Sequence, residues 1–521
     1  MSLSLVQSRA LLGLEAASVT VEVHLANGLP SFTLVGLADT EVKEARERVR
    51  SALQNAGLEF PNNKRITVNL APADLPKDSG RFDLPIALGI LAASGQIAGA
   101  KLAGHEFAGE LSLSGELRPV RGALAMALAL HTRGVATRLV LPMDSAQEAA
   151  LVPHGEVYGA RHLMDVVRQF VADGDAGAPQ AAPQAAPGAH DGWARVQAAP
   201  GGAAPRYADL CDVKGHALAK RALEIAAAGG HSLLMMGEPG SGKSMLAQRF
   251  AGLLPAMGID EALESAAIAS LGGRFAPAQW MCRPTSAPHH TSSAVALVGG
   301  GSPPRPGEIS RAHHGVLFLD EFPEFSRAAL EALREPLETG TITISRAARS
   351  AEFPARFQLV AAMNPCPCGY LGSALKACRC TPAQVLRYQA KLSGPLLDRI
   401  DLHIEVPAVS AQLLLDAPPG ESTDSIRARV VAARERALQR QGHANQALHG
   451  GAIDRHAALD AAARQFMFNA AGKLGWSARS THRALKVART IADLAGADAV
   501  QTPHVAEAVQ YRRALGRAQD R

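Results

Sequence analysis

The sequence predicts an α/β protein with a helical C-terminal part. Two observations support this fold class: a glycine-rich loop joins a short apolar strand to a helix, and another apolar strand ends in two carboxylates about eighty residues later. A third observation is a proline- and alanine-rich tract at residues 173–206, which follows an N-terminal part with both strand and helix patterns. Because 521 residues are too many for one hydrophobic core, we expect several domains.

The glycine-rich loop matches G-x-x-x-x-G-K-[ST] at every fixed position, with an apolar strand before it and a helical pattern after it. In this order, the loop amides and the helix N-terminus point at phosphate oxygens. We predict that the loop binds ATP, with Lys243 at the β- and γ-phosphates and the Ser244 hydroxyl on Mg²⁺. The predicted nucleotide-binding residues are Gly237, Glu238, Pro239, Gly240, Ser241, Gly242, Lys243 and Ser244.

Two later apolar strands also end in polar residues. Residues 315–319 run into Asp320 and Glu321, and residues 358–363 run into Asn364. We predict that Asp320 holds Mg²⁺ and that Glu321 is the general base for the attacking water. Ligands collect at the carboxyl ends of parallel strands, so we expect Asn364 near Glu321 as a sensor of the γ-phosphate. An Asn before Pro is, alternatively, a common turn residue.

Arg399 lies between two aspartates and follows a Gly-Pro pair. One interpretation is a local ion pair of little energetic value. We favour the other interpretation, an arginine finger that reaches the γ-phosphate of a neighbouring subunit and stabilises charge in the transition state.

The order of these motifs is that of an AAA+ core, which we assign to residues 207–406. Residues 407–521 read as a helical lid because four segments carry apolar residues at helical spacing. Residues 173–206 read as a flexible linker because so little apolar surface cannot offset the entropy of ordering. Residues 1–172 read as an α/β or α+β sandwich.

Two segments of this N-terminal domain, residues 76–80 and 109–120, resemble the proteolytic domain of Lon. The resemblance implies a Lon-protease-like α+β fold. Arg81 stands where that family has its catalytic serine, and Leu124 stands where it has the activating lysine. Neither a guanidinium nor an alkyl group can attack a carbonyl, so we predict no peptidase activity, with Ser79 as the nearest substitute for the missing nucleophile.

Composition and charge indicate the compartment and the kind of partner of the protein. Hydrophobic residues at 47% and charged residues at 19% are typical of a soluble globular protein. The start of the chain has no signal-peptide pattern and no run of eighteen apolar residues occurs, so we expect a cytoplasmic protein with no membrane partner. Residues 421–521 hold sixteen Lys and Arg against nine Asp and Glu. This basic excess indicates either a polyanion surface or an ordinary solvated helical face.

Five segments of the chain together indicate a protein family: APHHT at residues 287–291, PGEIS at 306–310, LFLDEFPEF at 317–325, NPCPCG at 364–369 and KVARTIADL at 486–494. Together they resemble magnesium-chelatase-like AAA+ proteins of the YifB type, a group that includes competence proteins. The resemblance implies a hexameric ring and, for the competence proteins, a DNA helicase that drives branch migration during recombination in natural transformation. Residues 283–286 depart from this family's pattern, because the resemblance implies a more basic and aromatic segment at that position.

In the lid, residues 477–483 resemble the sensor-2 segment of this family, which implies an arginine that reports the nucleotide state. Both Arg479 and Arg483 remain open for this role. Arginines on a helix are also commonly solvated without any such function.

Four cysteines are arranged as C-x-C and C-x-C within fifteen residues: Cys366, Cys368, Cys378 and Cys380. In a reducing compartment this pattern favours a metal over disulfides. A spacing of one residue is atypical for a zinc knuckle, so free thiols and a redox pair remain alternatives to Zn²⁺.

Residues 341–353 read as a hairpin with a basic tip. We predict that Arg346 and Arg349 grip DNA phosphates inside the ring, since phosphate contacts are independent of sequence and suit a motor. A surface hairpin with solvated arginines is the alternative.

The predicted function is an ATP-driven, hexameric DNA translocase or helicase that acts on single-stranded and branched DNA. Two alternatives are a magnesium-chelatase-type ATPase subunit and a nucleotide-gated scaffold. The protease-like N-terminal domain and the basic lid favour DNA over metal insertion. A scaffold would not need all the residues of ATP hydrolysis, and the presence of Lys243, Asp320, Glu321 and Arg399 therefore argues against that alternative.

Overall fold

The computed structural model describes residues 2–36, 42, 44–75, 77, 79–132, 136–171, 192–197, 207–301, 304–346, 349–373 and 376–512. Two large sheets organise these residues, one in the N-terminal domain and one in the domain that carries the phosphate loop, called the P-loop domain below. The predicted α/β class is confirmed.

The N-terminal domain combines ten strands and five helices in its described part. The strands are β1 (Ser2–Leu12), β2 (Glu15–Asn27), β3 (Ser31–Val35), β4 (Lys64–Ala71), β5 (His105–Phe107), β6 (Glu110–Leu111), β7 (Leu117–Arg118), β8 (Arg138–Pro142), β9 (Glu156–Ala160) and β10 (Ala194–Val196). The helices are α1 (Ala45–Asn55), α2 (Asp83–Ala93), α3 (Ala123–Thr132), α4 (Met143–Ala149) and α5 (Leu163–Val167). Eight strands form a mixed sheet of order β10-β9-β8-β5-β1-β2-β4-β3, and β6 pairs with β7.

Strand β2 shows why the sequence forms this sheet. Val19, Val21 and Val23 alternate with polar residues and are fully buried on one face. Helix α2 is apolar on nearly all sides, and ten of its eleven residues are buried beneath the sheet. Strand β6 has only two residues, because Ser112 closes a turn in which its hydroxyl accepts a hydrogen bond from the Glu116 amide.

The linker prediction is wrong for residues 192–197, the only part of the tract 173–206 that the structure describes. Ala194–Val196 form β10, which pairs antiparallel with β9 at the edge of the sheet. Trp193 stacks on Tyr158 with ring centroids 5.0 Å apart. One large aromatic side chain anchors the strand, although the average composition of the tract is that of a linker.

The P-loop domain has a five-stranded sheet and two hairpins. Its strands are β11 (Leu233–Met236), β12 (Thr285–Ser286), β13 (Gly299–Gly300), β14 (Arg305–Pro306), β15 (Val316–Leu319), β16 (Thr341–Arg346), β17 (Arg349–Pro354), β18 (Gln358–Met363) and β19 (Leu402–Glu405). Its helices are α6 (Ala217–Gly229), α7 (Lys243–Phe250), α8 (Ile259–Leu271), α9 (Ala294–Val298), α10 (Glu308–Arg311), α11 (Arg327–Ala332), α12 (Pro336–Thr339), α13 (Pro382–Gln389) and α14 (Gly394–Leu397).

The five-stranded sheet has the order β12-β15-β18-β11-β19, and every neighbouring pair is parallel. Strands β11, β15 and β18 are almost continuous apolar runs because helices cover both faces of such a sheet. All carboxyl ends therefore lie along one edge. This arrangement is consistent with a P-loop AAA+ core and brings the residues that follow these strands together.

The lid is helical: α15 (Ala411–Asp416), α16 (Thr423–Gln441), α17 (Gly451–His456), α18 (Ala461–Lys473), α19 (Ala478–Leu494) and α20 (Thr502–Gln510). Val487 and Ile491 of α19 share an apolar cluster with Ile225 of α6 and Leu233 of β11, so the lid packs directly on the P-loop domain. In the described ranges, the helices are too short or too polar to cross a membrane.

The N-terminal domain contacts the P-loop domain through two features. Helix α3 packs against α8, where Leu124 lies in one buried cluster with Leu263, Ala266 and Ala267. The turn between β1 and β2 contacts β17, since a Cβ atom at Gly13 would lie 3.6 Å from the Ala351 Cβ atom. The two domains therefore share an apolar junction.

Candidate functional site

The phosphate loop, residues 237–244, connects β11 to α7 at the carboxyl edge of the parallel sheet. Gly240 and Gly242 have φ angles of +77° and +88°, which glycine adopts without steric cost. Lys243 Nζ donates hydrogen bonds of 2.8 Å to the carbonyl oxygens of Gly237 and Glu238. Burial lowers the pKa of Lys243. The loop backbone thus curls around the lysine ammonium.

A second contact joins the helix after the loop to the end of β15. Ser244 Oγ donates a hydrogen bond of 2.6 Å to Asp320 Oδ2. The other carboxylate oxygen, Asp320 Oδ1, accepts a 2.8 Å hydrogen bond from the Glu321 amide. A hydroxyl and a carboxylate are the oxygen ligands that Mg²⁺ prefers, so the two residues predicted to hold this ion fit its chemistry.

Asn364 follows β18, the strand between β11 and β15. Its Oδ1 atom accepts a hydrogen bond of 3.3 Å from Lys243 Nζ. Asn364 therefore lies beside the phosphate loop. Its role as a sensor remains a prediction.

Glu321 has an unusual backbone and a partner that sequence reasoning missed. Its φ angle is +50°, in the left-handed region, and its side chain is 54% exposed. Its Oε2 atom lies 2.7 Å from His290 Nδ1. Ser286 of β12 lies opposite Leu317 of β15, and His290 and Glu321 each follow four residues later. The pair therefore depends on a strand pairing that the sequence pattern does not show.

The three predicted arginines form one cluster around two carboxylates. Arg399 is 8% exposed and pairs with Glu338, whose other oxygen accepts a 3.0 Å hydrogen bond from Arg479. Arg483 Nη1 donates hydrogen bonds to Asp401 Oδ1 at 2.6 Å and to the Arg399 carbonyl oxygen at 2.7 Å. Among the described residues, no hydrogen bond or ion pair of this cluster reaches the phosphate loop. The Arg399 guanidinium holds the pKa of Glu338 below its ordinary value.

The predicted hairpin is present as β16 and β17. Ile342, Ile344 and Phe353 bury its inner face in the cluster that contains Leu319 and Met363, the last residues of β15 and β18. Arg346 and Arg349 lie opposite each other at the end of the pairing. Their side chains, together with residues 347–348, lie outside the described residues.

The four predicted cysteines converge. The Cys366 Sγ atom lies 3.4 Å from Cys368 Sγ and 3.7 Å from Cys378 Sγ, and all four sulfur atoms, including that of Cys380, lie within 4.8 Å of one another. Thiolates at about 2.3 Å from a Zn²⁺ ion are about 3.8 Å apart in a tetrahedron, so the set fits this metal. All four are free cysteines.

The cysteine loop contacts the phosphate loop. Gly369 has a φ angle of +84°, and a Cβ atom there would lie 2.6 Å from the Pro239 ring. Backbone amides of Arg379 and Tyr370 lower the pKa of Cys368 to about 6, which favours a thiolate at neutral pH.

A second group of potential ligands comprises Glu264, His313 and His314. The Arg356 amide donates a 2.9 Å hydrogen bond to His313 Nδ1, so the proton of the neutral ring lies on Nε2. His313 Nε2 then donates to Glu264 Oε2 at 2.8 Å and has no lone pair for a metal. The hydrogen bonds that Glu264 receives from His313 and His314 lower its pKa, and we interpret the group as a hydrogen-bonded network.

In the N-terminal domain, Arg81 is 2% exposed, and its Nε atom donates a 2.9 Å hydrogen bond to Ser79 Oγ. The guanidinium is a permanent cation, so this neighbour of the Ser79 hydroxyl cannot act as the base that activates a serine. Leu124 is fully buried in the junction with α8. The lack of a catalytic dyad remains a prediction.

Three family models match the chain. One described as magnesium chelatase, subunit ChlI, matches residues 209–414. One described as subunit ChlI of Mg-chelatase matches residues 21–145, and one described as the C-terminal part of magnesium chelatase subunit ChlI matches residues 420–512.

Full-length relatives are also similar. The chain is 49% identical over 514 residues to a protein named competence protein ComM from Haemophilus influenzae, which covers 98% of both chains. It is 48% identical over 516 residues to the protein named YifB of Escherichia coli, covering 98% of this chain and 97% of that protein. It is 41% identical over 520 residues to a protein of Mycobacterium tuberculosis, covering 98% and 99% of the two chains. The resemblance seen in the sequence is confirmed, and the chain belongs to the YifB and ComM group of magnesium-chelatase-like proteins.

Proposed function

We propose that the protein is an ATP-driven DNA translocase that works as a hexameric ring and promotes branch migration. One observation carries the ATPase part of this proposal. At the carboxyl edge of the sheet, Lys243 donates a hydrogen bond to Asn364 and Ser244 donates one to Asp320. The backbone amide of Glu321 donates to the other oxygen of Asp320. Triphosphate hydrolysis needs this combination of a cation, a metal-binding pair and a carboxylate base.

Each residue then has a role that follows from its chemistry. The loop amides and Lys243 bind the phosphates, and Asn364 orients the lysine and senses the γ-phosphate. Glu321 takes a proton from the attacking water. Ser244 and Asp320 would hold Mg²⁺, which neutralises charge on the phosphates when bound.

Arg399 supports the proposal that the protein works as a ring. An arginine that neutralises transition-state charge is effective when it is offered from the next subunit, because hydrolysis then depends on assembly. Within one chain Arg399 is paired with Glu338, and Arg479 bonds to the other oxygen of the same carboxylate. We infer that ring assembly opens this pair. Arg479 and Arg483 both remain open as the lid residue that reports nucleotide state.

DNA as the substrate is supported by three features of different kinds. The hairpin β16–β17 presents Arg346 and Arg349 at its end, and its base shares a cluster with the strands that lead to Asp320 and Asn364. The final hundred residues carry the basic excess of the chain. The relative from Haemophilus influenzae is named for competence, the uptake of DNA.

The family models favour one alternative, because all three describe magnesium chelatase subunit ChlI. In that case ATP hydrolysis would drive metal insertion, and DNA would not change the hydrolysis rate. For the N-terminal domain we propose a Lon-like fold without peptidase activity, and one of the three models also matches within it, at residues 21–145.

We further propose that Cys366, Cys368, Cys378 and Cys380 bind one Zn²⁺. The distances between the sulfur atoms support this assignment over a redox pair, since the four atoms are gathered around a common centre. The ion would have a structural role and brace the loop that contacts Pro239.

The decisive experiment measures ATP hydrolysis with and without single-stranded and four-way DNA. We expect DNA to stimulate the wild-type protein. Glu321→Gln should retain ATP binding and lose turnover by about a hundredfold or more, because the water loses its base. Glu324→Gln is a matched control, since Glu324 pairs with Lys391. Normal turnover by Glu321→Gln would reject the general base, and hydrolysis without any response to DNA would reject the translocase.

A further inference from the structure

Helix α13 lies beside Asn364 but belongs to none of the motifs of the nucleotide site. The chain from 366 to 380, which carries the four cysteines, connects the residues after β18 to this helix. The Sγ atoms of Cys368 and Cys378, near the two ends of this connection, lie 3.5 Å apart. Thr381 directly follows the last cysteine and is the N-cap of α13. The helix therefore starts close to the point where β18 ends.

The last turn of α13 contacts the two residues that follow β18. Gln389 Nε2 donates a 3.2 Å hydrogen bond to the Pro365 carbonyl oxygen. Burial raises the pKa of the Tyr388 hydroxyl, and a hydrogen bond from the Asn364 backbone amide to this hydroxyl opposes the rise. The backbone on both sides of the Asn364 side chain is thus bonded to one helix.

Tyr388 has a fixed position of its own. Its side chain is 5% exposed, and it is the single buried residue of α13. It lies in the apolar cluster that contains Met363, the last residue of β18, and Leu396 of α14. A ring enclosed by apolar neighbours leaves one place for its hydroxyl. Tyr388 therefore determines where the Asn364 amide lies.

The Asn364 side chain is bounded on the side of the phosphate loop as well. A Cβ atom at Gly369 would lie 3.9 Å from Asn364 Cγ and 2.6 Å from the Pro239 ring. Lys243 Nζ donates a 3.3 Å hydrogen bond to Asn364 Oδ1. A displacement of about 1 Å in a group near the reacting atoms can lower a rate by on the order of a hundredfold. The backbone position that α13 gives to Asn364 therefore matters for hydrolysis.

We propose that Tyr388 and Gln389 are positioning residues that hold the backbone of Asn364 so that its side-chain amide meets the γ-phosphate of ATP. The inference rests on the proposed role of Asn364 as the sensor of this phosphate. It gives α13, a helix outside the nucleotide-binding motifs, a part in hydrolysis.

The test measures the turnover number and the ATP dissociation constant of Tyr388→Phe and Gln389→Ala. Tyr388→Phe keeps the ring in its cluster and removes the acceptor for the Asn364 amide, so we expect the turnover number to fall about fivefold to tenfold. Gln389→Ala should lower it by a similar factor, because the Pro365 carbonyl loses its donor. The dissociation constant of ATP should change by less than about twofold, since the loop amides and Lys243 bind the phosphates.

Two controls separate a positioning role from a general loss of structure. Tyr370→Phe removes a hydroxyl from the cysteine-bearing connection and should hydrolyse ATP at the wild-type rate. In an Asn364→Ala background, adding Tyr388→Phe should have no further effect, because both changes disable the same group.

The outcomes also separate this inference from the proposed function. Wild-type turnover in both Tyr388→Phe and Gln389→Ala, beside a slow Asn364→Ala, would overturn this inference alone. A further loss when Tyr388→Phe is added to Asn364→Ala would do the same, because Tyr388 would then act through another group. Wild-type turnover in Asn364→Ala would overturn the sensor role and this inference with it.

Discussion

Ser270 Oγ donates a 2.7 Å hydrogen bond to Glu148 Oε2 and thereby joins α8 of the P-loop domain to α4 of the N-terminal domain. Burial raises the pKa of Glu148, in keeping with a carboxyl enclosed at a domain junction. Leu124 lies in the same junction and is fully buried against Leu263 and Ala266. The N-terminal domain is thus attached to the helix that follows the phosphate-loop helix.

The buried junction predicts the effect of placing at position 124 the lysine that the Lon family has there. Leu124→Lys should destabilise the protein by about 3 kcal/mol or more, because an ammonium would be buried among apolar side chains without a partner. Peptidase activity should not appear, since Arg81 still occupies the place of the nucleophile. Urea unfolding measures the loss. Leu113→Lys, at a 57% exposed leucine, is the control and should change stability by less than about 0.5 kcal/mol.

Asp83 predicts a pH dependence of stability in the N-terminal domain. Burial raises its pKa from 3.8 to about 6, although the Arg48 guanidinium opposes this shift. The folded state therefore binds a proton more tightly than the unfolded state. Stability contributed by the neutral form is present below pH 3.8 and is lost as pH rises to about 6, by about 3 kcal/mol. Hydrogen exchange of the α2 amides, corrected for the intrinsic rate, measures this loss. Asp83→Asn should flatten the dependence, and an unchanged slope would contradict the assignment.

Arg399 predicts that hydrolysis is shared between subunits. Arg399→Ala should bind ATP and hydrolyse it at least about a hundredfold more slowly, since transition-state charge loses its partner. Mixing it with Lys243→Ala should restore part of the activity, because each chain supplies what the other lacks. Arg479→Ala, which removes the other partner of Glu338, serves as the comparison. A demonstrably monomeric preparation with full activity would refute the finger.

The cysteine cluster predicts about one zinc ion per chain. Replacing both Cys366 and Cys378 with Ser should abolish the metal, because a tetrahedral thiolate site needs all of its ligands for full affinity. Elemental analysis of freshly reduced protein measures the content. Cys211→Ser and Cys282→Ser lie outside the cluster and should retain it. A metal-free wild-type protein would leave the four residues as thiols.

The hairpin β16–β17 predicts a separation of hydrolysis from movement. Changing both Arg346 and Arg349 to Ala should leave basal ATP hydrolysis nearly intact and abolish strand displacement on forked or four-way DNA, since the motor loses its grip on phosphates. Strand displacement is followed with labelled DNA. Arg305→Ala on the neighbouring hairpin β13–β14 provides a comparison for loss of one exposed positive charge. Unwinding at the wild-type rate by the double variant would exclude this role of the hairpin.

The contact between Ser244 and Asp320 could be predicted from the sequence, because both residues belong to motifs with a fixed position on a parallel sheet. The same reasoning led from Asn364 to the phosphate loop. The four cysteines are also a local feature, since fifteen residues span the whole set and a short loop can gather them. In these cases one strand end or one loop determines where the side chains lie.

Other relationships depend on elements that are distant in the sequence. Arg399 and Arg479 share Glu338 only because the lid packs against α12, and His290 meets Glu321 only because β12 pairs with β15. Likewise, Trp193 draws β10 onto the N-terminal sheet from a tract that reads as a linker. Local pattern therefore predicted which residues form the candidate nucleotide site. Tertiary packing decided which carboxylate holds each arginine and which histidine lies beside Glu321, because such pairs form between side chains whose separation in the chain carries no periodic signal.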